Sequence, residues 1–189
     1  MGIEIHYAFV RRKAPATLMK EIHMEAIRRG MRIRHFSQNR LLIEPHPQSE
    51  WIDLHWRTWQ SIRDEKETSD ENADYWQWVK TIVERFYTRL VRDGDWICLG
   101  FTKTQYAGIK CHCEVAELLR MVACRCRLAD IGDEAGYYEG GKDDYDQAKE
   151  AFDANNKAIS LLAAQLKEQF GAENVLCGQD FIEPDGGPP

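Results

Sequence analysis

Long hydrophobic runs are missing from this 189-residue chain: no window approaches the roughly 18 apolar residues of a membrane span, and the mean hydropathy is −0.56. The only apolar stretch near the amino terminus is broken by Glu4 and His6, which does not suit a secretory leader. A cytoplasmic protein without a membrane partner is therefore expected. No Pro/Gly/Ser-rich linker divides the chain, so the expectation is one domain over residues 1–180. A tail over 181–189, with Pro184, Gly186, Gly187, Pro188 and Pro189, is expected to be disordered. Signature motifs of catalysis are lacking as well. There is no phosphate-cradling glycine loop, no Gly-x-Ser-x-Gly elbow and no His-Glu-x-x-His pair. Their absence weakens the case for an enzyme.

Charge is present but uneven. The formal net charge is −6, yet residues 1–50 hold nine Lys or Arg against five Asp or Glu. The acid is densest from Asp130 to Asp153, where nine acidic residues face two lysines. Either the basic part serves an anionic partner, or the two parts attract each other within one fold. Arg11, Arg12, Lys13 and, further on, Arg28, Arg29, Arg32 and Arg34 form the nearest thing to basic clusters. No nucleic-acid reader motif accompanies them, so nucleic acid is not the expected partner.

Alternation over Gly2–Val10 (Ile3, Ile5, Tyr7, Phe9 against Glu4, His6, Ala8) predicts a first strand. Pro15 suits the first turn of a helix to Arg29, with Leu18, Met19, Ile22 and Ala26 inward and Gly30 as its stop. Met31–Phe36 and Arg40–Glu44 read as a hairpin around Ser37, Gln38 and Asn39. Trp51–Trp59 fits strand better than helix. A polar loop over Arg63–Asp74 follows, with Thr68 and Glu71 spaced as a capping box. The next helix buries Tyr75, Val79, Ile82, Val83, Phe86 and Leu90. A long helix over Asp143–Phe170 is expected to cross the whole sheet, and Asn174–Cys177 to add an edge strand. The fold class is α+β, a mixed or antiparallel sheet packed by about four helices.

The stretch Asp95–Glu139 carries the chemistry. From Trp96 to Tyr106, Ile97, Leu99 and Phe101 alternate with Cys98, Gly100, Thr102 and Thr104. On this reading Lys103 and Gln105 end the apolar row as a pocket floor, unless Lys103 simply snorkels into water. A helix after Gly108 carries Val115, Leu118, Leu119, Val122 and Cys126 inward, with His112 one turn before Val115. A short strand over Leu128–Ile131 beside the Trp96–Tyr106 strand would bring acids of residues 130–139 near Lys103 and His112. Cys111, His112, Cys113, Cys124 and Cys126 are zinc-type ligands. A straight helix, however, sets Cys113 and Cys124 about 16 Å apart along its axis, so no metal site is expected. Asp130, Asp133, Glu134 and Glu139 are oxygen ligands for magnesium or calcium but do not follow the twelve-residue calcium loop.

Two functions compete. The leading expectation is a non-catalytic, acidic cytoplasmic module that binds or regulates a protein partner, through its charge asymmetry and a surface containing Trp51, Trp56, Trp59 and Trp76. The rival is a small hydrolase- or transferase-like enzyme. In it His112 is general base, Lys103 stabilises developing negative charge and Glu134 or Glu139 orients the histidine, with Gln105, Tyr106 and Tyr137 binding substrate. Neither reading calls for a cofactor.

Overall fold

The computed structural model describes residues 3–64, 73–87, 89–139 and 142–170. The expected capping box at Thr68 and Glu71, the edge strand over Asn174–Cys177 and the tail over 181–189 lie outside the described residues. The fold is α+β: among the described residues there are two antiparallel sheets, a short two-stranded ribbon and five helices, the last of them long.

The central sheet is built on β1 (Glu4–Arg11), where alternation sends Ile5, Tyr7 and Phe9 into the larger core. β1 lies between β6 (Trp96–Lys103) and β7 (Leu128–Asp133), antiparallel to both, and β5 (Arg57–Thr58) extends the far edge. β6 and β7 are thus parallel to each other but separated by β1, with α4 (Gly108–Ala123) as the crossover. The expected contact between them is replaced by pairing of each with β1. The second sheet holds β2 (Arg32–Phe36), β3 (Arg40–Glu44) and β4 (Ile52–His55). The hairpin between β2 and β3 closes as expected, Ser37 N–H donating to the Arg40 carbonyl at 2.8 Å. The strand reading of Trp51–Trp59 holds to Thr58, where the Thr58 hydroxyl accepts from the Ser61 amide and starts α2 (Trp59–Arg63).

α1 (Ala16–Arg28) buries Leu18, Met19, Ile22 and Ala26 against both sheets. Each large apolar side chain so buried contributes about 1.5–3 kcal/mol. Gly30, at φ 78°, ends the helix: its amide reaches Ile27 O and the Met31 amide reaches Ala26 O, each at 2.9 Å. This left-handed cap is the reason a glycine stands there. On the opposite face of the central sheet, Val10, Ile97 and Leu99 meet Trp59, Ile62, Trp76, Val79 and Val83 in a smaller core. It is covered by α2 and by α3 (Ala73–Ile82), which continues as one π-helical turn, Val83–Tyr87. β8 (Tyr138–Glu139) and β9 (Lys142–Asp143) form the ribbon.

Burial on both faces corrects the reading of β6. Cys98 and Thr102 are on the larger-core face and Ile97 and Leu99 are in the smaller core, while Phe101 is 46 % exposed. Gly100 is required there, because a Cβ would come within 2.5 Å of the Tyr7 hydroxyl. That hydroxyl in turn donates to the Asp53 carbonyl of β4 at 3.1 Å, joining the two sheets. α5 (Tyr145–Phe170) also departs from expectation. Ala148 and Phe152 are buried, but Leu161 and Leu162 are exposed, so full burial among its described residues is confined to the first half.

Candidate functional site

His112 is fully buried at the end of the sheet where β1 begins and β7 ends. Its Nδ1 is 2.7 Å from the Thr104 hydroxyl and its Nε2 is 2.9 Å from Asp133 Oδ1. An ionised carboxylate only accepts, so Nε2 carries the proton. Asp133 also accepts from the amides of Ala135 and Tyr138, at 2.9 and 3.1 Å. Burial pushes its carboxyl up, but the bond and charge from His112, with those two amides, outweigh burial and hold it below the usual range. The Phe152 ring closes the site, edge-on to His112 at 5.2 Å. Hydroxyl, imidazole and carboxylate stand in the order of an acyl-transfer triad, yet none of them faces solvent.

Lys103 is elsewhere. It pairs in register with Glu4, on the sheet face opposite Ile5 and Thr102. Its ammonium is 3.2 Å from Glu4 and 3.9 Å from Glu50. The Glu4 bond and charge, with Glu50 and Glu134, hold it above its ordinary value. Glu134 belongs to this outer group, accepting from the Glu4 amide at 3.1 Å. The sheet therefore separates Lys103 and Glu134 from His112, and the acid that reaches the imidazole is Asp133.

The other expected site residues do not gather around His112 either. Gln105 is buried with Oε1 lacking a hydrogen bond, and Tyr106 is exposed. Tyr137 donates to Glu117 at 3.2 Å, a carboxylate that also holds Arg29 at 2.8 Å. Glu139 is in β8, but its side chain lies outside the described residues. Of the four tryptophans singled out for a partner surface, Trp56, Trp59 and Trp76 are buried and Trp51 is exposed.

The opposite end of the sheet is different. It lies six residues along β1 from the strand pair Ile5 and Asp133, about 20 Å at the usual strand rise. There a cavity of about 430 Å³ opens between Arg11, Arg12 and Lys13 on one side and Cys124, Arg125, Cys126 and Arg127 on the other. The β1 and β7 register builds it. Val10 faces Leu128 and the Arg127 amide donates to the Val10 carbonyl at 2.8 Å, so one further step sets Arg11 beside Arg127. Like charges so placed on paired strands repel.

Compensation is partial. Arg127 is held by Asp95 at 2.6 Å and by the Leu90 carbonyl at 2.7 Å. Arg125 has a loose, exposed pair with Glu21 at 3.5 Å. The side chains of Arg11, Arg12 and Lys13 have neither an acid nor a hydrogen bond among the described residues. Arg11 lies over the Trp56 ring at 6.0 Å, and two of its three guanidinium nitrogens, Nε and Nη1, are closed off from solvent without an acceptor. Natural interiors rarely leave such donors unpaired. The sequence marked Arg11–Lys13 as basic and Cys124–Cys126 as possible ligands, but nothing local signalled that pairing of β7 with β1 brings them together.

The thiols of Cys98, Cys111 and Cys126 are poor nucleophiles and poor ligands. Burial pushes Cys126 up to about 12 despite the opposing charge of Arg11, pushes Cys111 up to about 12, and pushes Cys98 well above its usual value. Among the described residues no group of three or more His, Cys, Asp or Glu is placed to hold a metal ion. A second, smaller cleft of about 200 Å³ lies on the outer sheet face between His6, Trp78, Tyr87 and Asp130. His112 lines neither of these two cavities. Among the described residues no helix is long and apolar enough to cross a membrane. No family model, no curated protein and no solved structure matches the chain.

Proposed function

We propose that this is a non-catalytic cytoplasmic binding module that captures an anionic group of a protein partner in the Arg11–Lys13/Cys124–Arg127 cavity. The observation that carries this reading is the under-satisfied Arg11 guanidinium, set with Arg12 and Lys13 at a cavity in a protein of net charge −6. Three neighbouring cations without acids among the described residues raise each other's energy, and an incoming oxyanion relieves that repulsion while accepting donors from the exposed Arg12 and Lys13. A protein partner fits better than nucleic acid, since among the described residues no aromatic side chain lines this cavity to stack a base. The enzyme reading is less well supported: its base, His112, is sealed, and its cation is on the other sheet face. Calorimetric titration with inorganic sulfate tests the proposal. The expected result is binding by the wild-type protein that weakens at high salt and is largely lost in the Arg12→Ala/Lys13→Ala variant. Equal affinity of variant and wild type removes the reading.

A further inference from the structure

Resting on that anion-binding reading, we infer that the group taken by the cavity is a phosphate monoester in its doubly charged form. Three observations separate it from a carboxylate. The first is how this chain treats its own carboxylates. Asp53 is met by a single guanidinium fork, Arg40 Nε and Nη2 at 3.1 and 2.8 Å, and Glu25 by a fork from Arg28 at 2.7 and 2.6 Å together with Arg29 Nε at 2.7 Å, both from the end of α1. Each of these planar monoanions draws its guanidinium donors from one chain segment, on one side. The cavity instead draws cations from two chain segments, the end of β1 and the turn before β7, so that donors approach from opposite walls. A tetrahedral group presents oxygens in those several directions.

The second is charge. Arg127 is neutralised by Asp95, and Arg125 has, among the described residues, only its loose pair with Glu21. Among the described residues Arg11, Arg12 and Lys13 remain as three unopposed positive charges, more than a monoanion offsets. The positive end of α1, which begins three residues beyond Lys13 without a side-chain cap, adds field of the same sign. The third is size and lining. About 430 Å³ exceeds a bare oxyanion and falls within the range of roughly 300–1,000 Å³ typical of small-ligand sites. The cavity therefore also receives part of the group bearing the phosphate, while its charged walls read only the head. A phosphorylated side chain on a partner and a free organic phosphate share this chemistry.

The test compares phenyl phosphate, benzoate and inorganic sulfate on the full chain, from about pH 7.5 to about pH 5, across the second ionisation of a monoester near pH 6. One extra charge at contact distance is worth about tenfold or more in affinity. Phenyl phosphate should accordingly exceed benzoate by that factor at the higher pH. It should lose most of the advantage at the lower pH, whereas sulfate, doubly charged throughout, should not. Arg12→Ala/Lys13→Ala, at exposed positions, and Arg11→Gln, checked for an unchanged thermal midpoint, should each erase the preference. A phosphoserine peptide tighter than free phosphoserine assigns the group to a protein, and equal affinity assigns it to a small molecule. If benzoate matches phenyl phosphate, or if the phosphate affinity ignores pH, the monoester assignment falls and anion binding stands. If none of the three anions binds, both fall.

Discussion

Replacing His112 by alanine is the sharpest test of whether the buried hydroxyl, imidazole and carboxylate are structural. The substitution removes a fully buried ring that touches Phe152, and it takes from Asp133 Oδ1 a donor at 2.9 Å while leaving the amides of Ala135 and Tyr138 in place. Truncating a large buried side chain costs about 2–5 kcal/mol. Losing one partner of a buried charged pair costs about 3–5 kcal/mol when nothing else compensates. Because two amides still bond the carboxylate and the two losses overlap, a total of about 3–5 kcal/mol is expected. Urea denaturation followed by tryptophan fluorescence measures it. The pH dependence carries a sign. In the wild-type protein the Asp133 carboxyl is held low, so its contribution is present above the unfolded carboxyl value and is lost as pH falls through the folded one. Without His112, burial acts less opposed and the folded value rises. The stability gap between variant and wild type should therefore narrow as pH falls through the carboxylate range. A loss below about 1 kcal/mol, the scale of ordinary surface changes, refutes the reasoning, as does a gap that widens in acid.

Other consequences are independent of that pair. Gly100→Ala drives a Cβ against the buried Tyr7 ring and should cost about 1–3 kcal/mol by overpacking, read from the same denaturation curves. In a Cys177→Ser background, a thiol-reactive chromophore should label exposed Cys124 first in the native protein. It should reach Cys98 and Cys111 only on unfolding, since both are buried and their thiols are pushed up. Rapid native labelling of Cys111 contradicts the placement of α4. Lys103→Ala, at an exposed ion pair with Glu4, should leave the denaturation midpoint nearly unmoved.

The elements with a single period were legible in the sequence. Ile5, Tyr7 and Phe9 alternate cleanly because β1 has its larger side chains on one face, and α1 is framed by Pro15 and Gly30. The face of β6 was not legible, because a strand buried on both sides gives no polar row to mark solvent. Gly100 stands on its main core face, and Thr104 just past its end, for reasons supplied by other elements, Tyr7 of β1 and His112 of α4. The site was legible only in halves. Arg11–Lys13 read as a basic cluster and Cys124–Cys126 as possible ligands, and their meeting depends on β7 choosing β1 as neighbour over β6. That is a question of register across more than a hundred residues, which no local pattern answers.

Backbone amide shifts during a phenyl phosphate titration, followed by ¹H–¹⁵N NMR, test the central claim most directly. Saturable changes confined to Arg11–Lys13 and Cys124–Arg127, with Thr104, His112 and Asp133 still, are what the account predicts. Changes centred on those last three residues, with the basic cavity unmoved, would contradict it.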